Sequence, residues 1–274
     1  MAYASRKAAQ RRRRRLERRI YWFVLLVALF FLGLTLFLNQ QFVRVSDIRV
    51  TGNIQLSEQD IQSETETFFS SGFNVIPADS IFFLSTNQVE RYLMTEFPRI
   101  ESVRVSRDFF QGLDIDVTER VRRYRYCSQG QGCWYMDDKG YVFAQESEND
   151  AENLFVFRKY STVPVSTYFL ETELFEDIVL LINTIESSGL SINEAYVANE
   201  STLVLETSGG TKLLFDTQRE FDSAYTNFVK LLESESFSVD ADSKSFVSDI
   251  AYINFRFGDK IFYCFTGEVC EMNY

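Results

Sequence analysis

"VSDIRVTGNIQLSEQDI", residues 45–61, changes character in its middle. Val43, Val45, Ile48 and Val50 are the apolar members of an alternating run from Phe42 to Val50, the pattern of a half-buried strand. Thr51-Gly52-Asn53 supplies a turn. Ser57 with Asp60 three residues later makes a capping-box-like start, and Ile61, Phe68 and Phe69 give the helix that follows an apolar face.

Toward the C-terminus, a second helix is predicted from near Asn87, using Val89, Leu93 and Met94 and stopping before Pro98. Two strands come next. Val103 and Val105 alternate with Ser102, Arg104 and Ser106, and Leu113, Ile115 and Val117 alternate with Asp114, Asp116 and Thr118. "FFQG" at 109–112 is the hairpin connection between them.

Toward the N-terminus, Ile20 to Leu38 is "IYWFVLLVALFFLGLTLFL", 19 residues without a charge. At about 1.5 Å per residue such a helix roughly matches a hydrocarbon core about 30 Å thick, so one membrane span is predicted. Residues 1–19 hold nine Lys/Arg against one acid. That excess marks a cytoplasmic flank, which is favoured over a nucleic-acid patch. No small-residue cleavage pattern follows Leu38, so 20–38 is predicted to remain as a signal anchor with residues 39–274 outside the cytoplasm. Beyond residue 19 the chain is acidic, with 19 basic and 38 acidic residues.

The four cysteines fall as Cys127/Cys133 and Cys264/Cys270, each pair separated by five residues that include glycine. Each pair could close a hairpin as a local disulfide; four free, partly buried thiols are the alternative. Zinc sites usually show shorter spacing and often histidine, and this chain has no histidine, so a metal is the weaker reading.

Residues 121–274 read as mixed α and β. Helical spacing appears at Leu174, Ile178, Leu181, Ile182 and Ile185, ending before Gly189, and again at Phe221, Tyr225, Phe228, Val229 and Leu232. Both stripes read as core packing. "STLVLETSGGTKLLFD" is a strand, a Ser208-Gly209-Gly210 turn and a strand.

Catalysis finds little support. Without histidine there is no Ser-His or Cys-His pair and no commonest general base. Carboxylate pairs such as Asp114/Asp116 and Asp137/Asp138 read as solvated strand and turn positions, and no phosphate-cradling glycine loop is present. No enzyme activity and no cofactor are predicted.

Strand, helix, helix, strand, strand over residues 42–120 is the order of a POTRA domain. "VSDIRVTGNIQLSEQDI" and "NQVERYLMTEFPRIESVRVSRDFFQGLDIDVTERV" are similar to its opening and closing halves. With a basic tail and one apolar segment in front, the chain resembles the FtsQ/DivIB family of bacterial cell-division proteins. "CWYMDDKGYVFA" is similar to the start of that family's second, β-rich domain, and "AYINFRFGDKIFYCF" to its last hairpin, with Arg256 where the family usually has a basic residue. The two cysteine pairs and the extra "TGEVCEMNY" depart from the family's pattern.

The resemblance implies an α+β architecture: tail 1–19, span 20–38, POTRA domain 42–120, β domain 121–265 and C-terminal extension 266–274. It implies a single-pass protein of the cell membrane, at the division septum, that recruits other division proteins. Coiled-coil partners of the FtsB/FtsL type would bind the β domain, and other division factors the POTRA domain. The last hairpin is expected to carry the partner edge, at Lys260, Ile261, Phe262, Tyr263 and Phe265, with Tyr263 and Phe265 as anchors. Ordinary packing, with "VCEMN" folded back over that edge, is the alternative. At the level of function the alternative is a POTRA-bearing export or envelope-assembly component, although the remaining chain is too short to supply a membrane barrel.

Overall fold

The computed structural model describes residues 18–33, 45–70, 84–108, 112–128, 130–147, 153–234, 237–258 and 260–270. Residues 18–33 form a helix (α1) on which Ile20, Trp22, Phe23, Leu26, Phe30 and Phe31 are all exposed. Among the described residues no helix is long and apolar enough to cross a membrane. Residues 34–38 of the expected span, and residues 1–17 of the expected tail, lie outside the described residues. The chain divides into two compact units, Met1–Glu119 and Arg120–Tyr274.

In the first unit, β1 (Asp47–Thr51), α2 (Glu58–Ser70), α3 (Thr86–Glu96), β2 (Ile100–Asp108) and β3 (Gly112–Glu119) follow in order. β3 is central, parallel to β1 and antiparallel to β2. Its alternation places Leu113, Ile115 and Val117 in a core with Ile61 of α2 and Val89 and Leu93 of α3. Full burial of each such side chain contributes roughly 1.5–3 kcal/mol, which holds two helices of modest intrinsic stability on one face of the sheet. Met94, expected on that face, is exposed instead. Gly52 makes the turn after β1 at φ +81, where a Cβ would meet the Val117 carbonyl oxygen at 2.2 Å, so no larger residue fits. Positions 42–44 of the expected first strand and 109–111 of the hairpin connection lie outside the described residues.

The second unit opens with β4 (Tyr124–Ser128), β5 (Gly132–Met136), β6 (Tyr141–Gln145), β7 (Phe155–Lys159) and β8 (Thr167–Tyr168). It continues with α4 (Thr172–Ser187), β9 (Ile192–Asn199), β10 (Thr202–Thr207), β11 (Lys212–Asp216) and α5 (Phe221–Leu232). β12 (Val239–Asp240), β13 (Ser245–Phe246), β14 (Ile250–Phe257) and β15 (Lys260–Phe265) complete it. Ten strands make one mixed sheet in the order β15-β14-β11-β10-β9-β7-β4-β5-β6-β8. β11/β14, β7/β9 and β4/β7 are its parallel contacts.

The sheet buries apolar residues on both faces. Leu203, Leu205, Leu213, Phe215, Ile253 and Phe255 join Phe175, Ile178, Ile182, Ile185 and Phe228 of the two helices in the main core. The intervening residues Val204, Leu214, Tyr252 and Cys264 form a smaller cluster. The resulting architecture is mixed α and β, with a β-rich C-terminal unit.

Candidate functional site

A strand at the end of a sheet carries unpaired N–H and C=O groups, so a scaffold that binds by strand addition must leave one end available. In the first unit both outer strands are engaged by helix side chains. Gln62 of α2 donates from Nε2 to the Ile48 carbonyl of β1 at 2.7 Å. On β2 the Val105 N–H donates to Glu90 Oε1 of α3 at 2.9 Å. In the second unit the ten-stranded sheet ends at one side in β8, only two residues long, and at the other in β15.

β15 is six residues long and, among the described residues, pairs only with β14. Phe262 and Tyr263 are each 49% exposed on it, an unusual state for adjacent aromatics. Ile261 and Phe265 pack against the main core, whereas Cys264 is buried in the cluster on the opposite face. Tyr263 makes a T-shaped contact with Phe237, ring centres 5.0 Å apart, so part of its ring is already packed. Phe265 stacks on the same Phe237. Of the expected anchors, Tyr263 offers free surface and Phe265 is largely committed to packing.

Strict alternation over Tyr252 to Phe257 would put Ile253, Phe255 and Phe257 on one face. The structure keeps the first two in the core but shifts register between Asn254 and Phe257. That irregularity turns Phe257 to the other side, where it meets Phe262 at 5.2 Å. Phe257 and Phe262 thus form an exposed aromatic pair beside the edge. Asp259, between β14 and β15, lies outside the described residues. Arg256 donates through Nε to Asn254 Oδ1 and through Nη1 to Thr202 Oγ1, both at 3.1 Å, and so ties β14 to β10.

Beyond Phe265 the chain turns at once. The Glu268 N–H returns to the Phe265 carbonyl at 3.2 Å, with Gly267 between them at φ +93. The structure joins Cys264 to Cys270, which draws the chain toward the face where Cys264 is buried. Val269 is 104% exposed and covers nothing. Residues 271–273 of "VCEMN" lie outside the described residues. The structure also joins Cys127 to Cys133, directly opposite each other on β4 and β5. Cys264, Glu268 and Cys270 bring possible ligand atoms within 4.8 Å of one another, but the two sulfurs are bonded together, leaving one carboxylate.

The acidic pairs have local roles. Asp114 faces Arg49 at 3.4 Å, beside Asp47 and Asp108, and Asp116 accepts from Thr51. Asp137 is buried; its Oδ1 accepts the Lys139 and Tyr141 amides and its Oδ2 pairs with Arg120 at 2.5 Å, fixing the β5–β6 turn. Arg120 also stacks over the Tyr141 ring at 4.0 Å. Asp138 is exposed. Glu119, unremarked in the sequence, accepts on Oε1 from the amides of Ile54 at 2.6 Å and of Gln55 and Leu56 at 2.9 Å. Burial alone would push its carboxyl up, but these three donors and Arg99 outweigh that and hold it below the usual value.

Gln62, Glu90 and Glu268 also escaped the sequence reading. Each is a polar residue whose partner is a backbone group of a strand edge, and nothing local in the sequence marks it. Residues 43–120 match the family model described as "POTRA domain, FtsQ-type". No curated protein matches the chain. The chain therefore carries an FtsQ-type POTRA domain, which supports its membership of the FtsQ/DivIB family of cell-division proteins.

Proposed function

We propose that this protein is a bitopic scaffold of the bacterial division machinery. Residues 1–19 lie in the cytoplasm, 20–38 cross the cell membrane, and the POTRA domain (42–120) and β domain (121–265) work outside, at the septum. The exposed apolar side chains of α1 and the nine basic residues within 1–19 support the anchor. The β domain captures a coiled-coil partner of the FtsB/FtsL type on β15, at Lys260, Ile261, Phe262, Tyr263 and Phe265, and the POTRA domain engages other division proteins.

One observation carries this reading. β15 is a six-residue end strand with Phe262 and Tyr263 half exposed, whereas Gln62 and Glu90 each take a backbone group of a POTRA edge strand and the far end of the large sheet is a two-residue strand. Backbone pairing along β15 supplies affinity, and Phe262 and Tyr263 supply anchorage.

The test joins localisation to capture. A fluorescent fusion of the full chain gathers at midcell, and Phe262→Ala with Tyr263→Ala lowers capture of the FtsB-type protein at least tenfold while the protein still folds. A diffuse membrane signal, or capture unchanged in the double variant, overturns the proposal.

A further inference from the structure

The edge of β15 is bounded and electrically polarised. Thr266 turns its N–H inward to the Asp249 carbonyl at 2.8 Å, so by the two-residue alternation of a strand the amides of Phe265, Tyr263 and Ile261 point away from β14. The Phe265 amide is already taken, donating to Glu268 Oε2 at 3.1 Å. Glu268 is held there by the turn from Phe265 and by the Cys264–Cys270 bond just beyond it. An exposed carboxylate therefore stands at one end of the edge, and the exposed ammonium of Lys260 stands at the other. At about 3.3 Å per residue the two ends are roughly 17 Å apart, the length of five residue steps.

Resting on the reading of β15 as the partner edge, we propose that Glu268 is a register stop and charge selector: an incoming strand pairs from Lys260 to Tyr263 and no further. The partner that fits is an extended segment with an acidic residue where it meets Lys260, a basic residue where it meets Glu268, and about four uncharged residues between. A carboxylate brought to the Glu268 end meets like charge, and a strand that runs past Tyr263 finds its next donor occupied. Each matched end is worth about two- to fivefold in affinity.

The probes are four segments displayed on one dimeric coiled-coil carrier, each with Thr-Val-Thr-Val flanked by Glu/Lys, Lys/Glu, Lys/Lys or Glu/Glu. Binding is measured to the full-length chain in nanodiscs. One of the two opposite-charge orders binds tightest to the unaltered chain, and the winner reports the strand direction. Glu268→Lys moves the preference to Glu/Glu and Lys260→Glu moves it to Lys/Lys. Glu268→Gln, which keeps an acceptor for the Phe265 amide, erases discrimination at that end. Glu176→Lys, exposed on α4, leaves the ranking as it was. A ranking unchanged by Glu268→Lys and Glu268→Gln, with binding lost in Tyr263→Pro, overturns the selector and keeps the edge. Binding equal in Tyr263→Pro and the unaltered chain, or no binding by any segment, overturns the edge reading and this inference together.

Discussion

Removing the Glu119 carboxylate should loosen the first unit from one point. Glu119 is the last residue of β3 and is 8% exposed, and its Oε1 gathers the amides of Ile54, Gln55 and Leu56 just after the Gly52 turn. These bonds fix the loop that delivers α2 to the sheet. A hydrogen bond to a charged group contributes about 1.5–3 kcal/mol, but three donors share one oxygen here and Ile54 is exposed enough for water to replace part of the loss. Glu119→Ala should therefore cost about 3 kcal/mol, and Glu119→Gln, which retains an acceptor without the charge, about half of that. Because the folded carboxyl is held below its ordinary value, its contribution is present above the unfolded pKa, near 4.3, and is lost as pH falls through the folded value. Acid should thus destabilise the first unit more in the unaltered chain than in Glu119→Gln. Hydrogen exchange read by mass spectrometry separates the two units. The alanine variant should lose protection at residues 54–56 and across β1 and β3, with peptides of the second unit unchanged. Protection at 54–56 equal to that of the unaltered chain would refute the clamp.

Gly140 has φ +76 and a Cβ there would lie 2.9 Å from the Phe175 ring, so Gly140→Ala should cost the second unit about 2–4 kcal/mol in urea unfolding followed at Trp134. Gly130, at φ +75 with open space around it, isolates the backbone share, and Gly130→Ala should cost only about 1–2 kcal/mol. Asp137→Ala breaks a buried ion pair with Arg120 and should lower the same transition by about 3 kcal/mol. Mass spectrometry under non-reducing conditions should find Cys127 linked to Cys133 and Cys264 to Cys270; each small loop adds about 2 kcal/mol, so reduction should leave the fold standing. Reporter fusions should place the N-terminus in the cytoplasm and Tyr274 outside, and an active cytoplasmic reporter at Tyr274 would contradict the anchoring.

Local periodicity was readable wherever one side of an element is buried. Ile178, Leu181, Ile182 and Ile185 recur at helical spacing because α4 lays that stripe on the sheet, and all four are buried. The β10–β11 hairpin announced itself through its Gly-Gly turn, which reaches positive φ at Gly210. Sheet order was not readable. β14 returns beside β11 in parallel after α5, and β7 inserts between β4 and β9. Such pairings depend on contacts far apart in sequence, which leave no local period. The candidate edge was half legible: simple alternation along Lys260 to Phe265 is enough to set Tyr263 and Cys264 on opposite faces, but the shift before Phe257 and the cap by Glu268 are single-residue events with no pattern of their own.

If β15 gains a strand from a partner, the amides of Ile261 and Tyr263 report it directly. In the full-length chain in nanodiscs, amide hydrogen exchange is measured with and without a saturating FtsB-type partner. Ile261 and Tyr263 should become strongly protected on binding while Phe265, already bonded to Glu268, changes little. A partner that binds with Ile261 and Tyr263 exchanging as fast as in the free protein would contradict it.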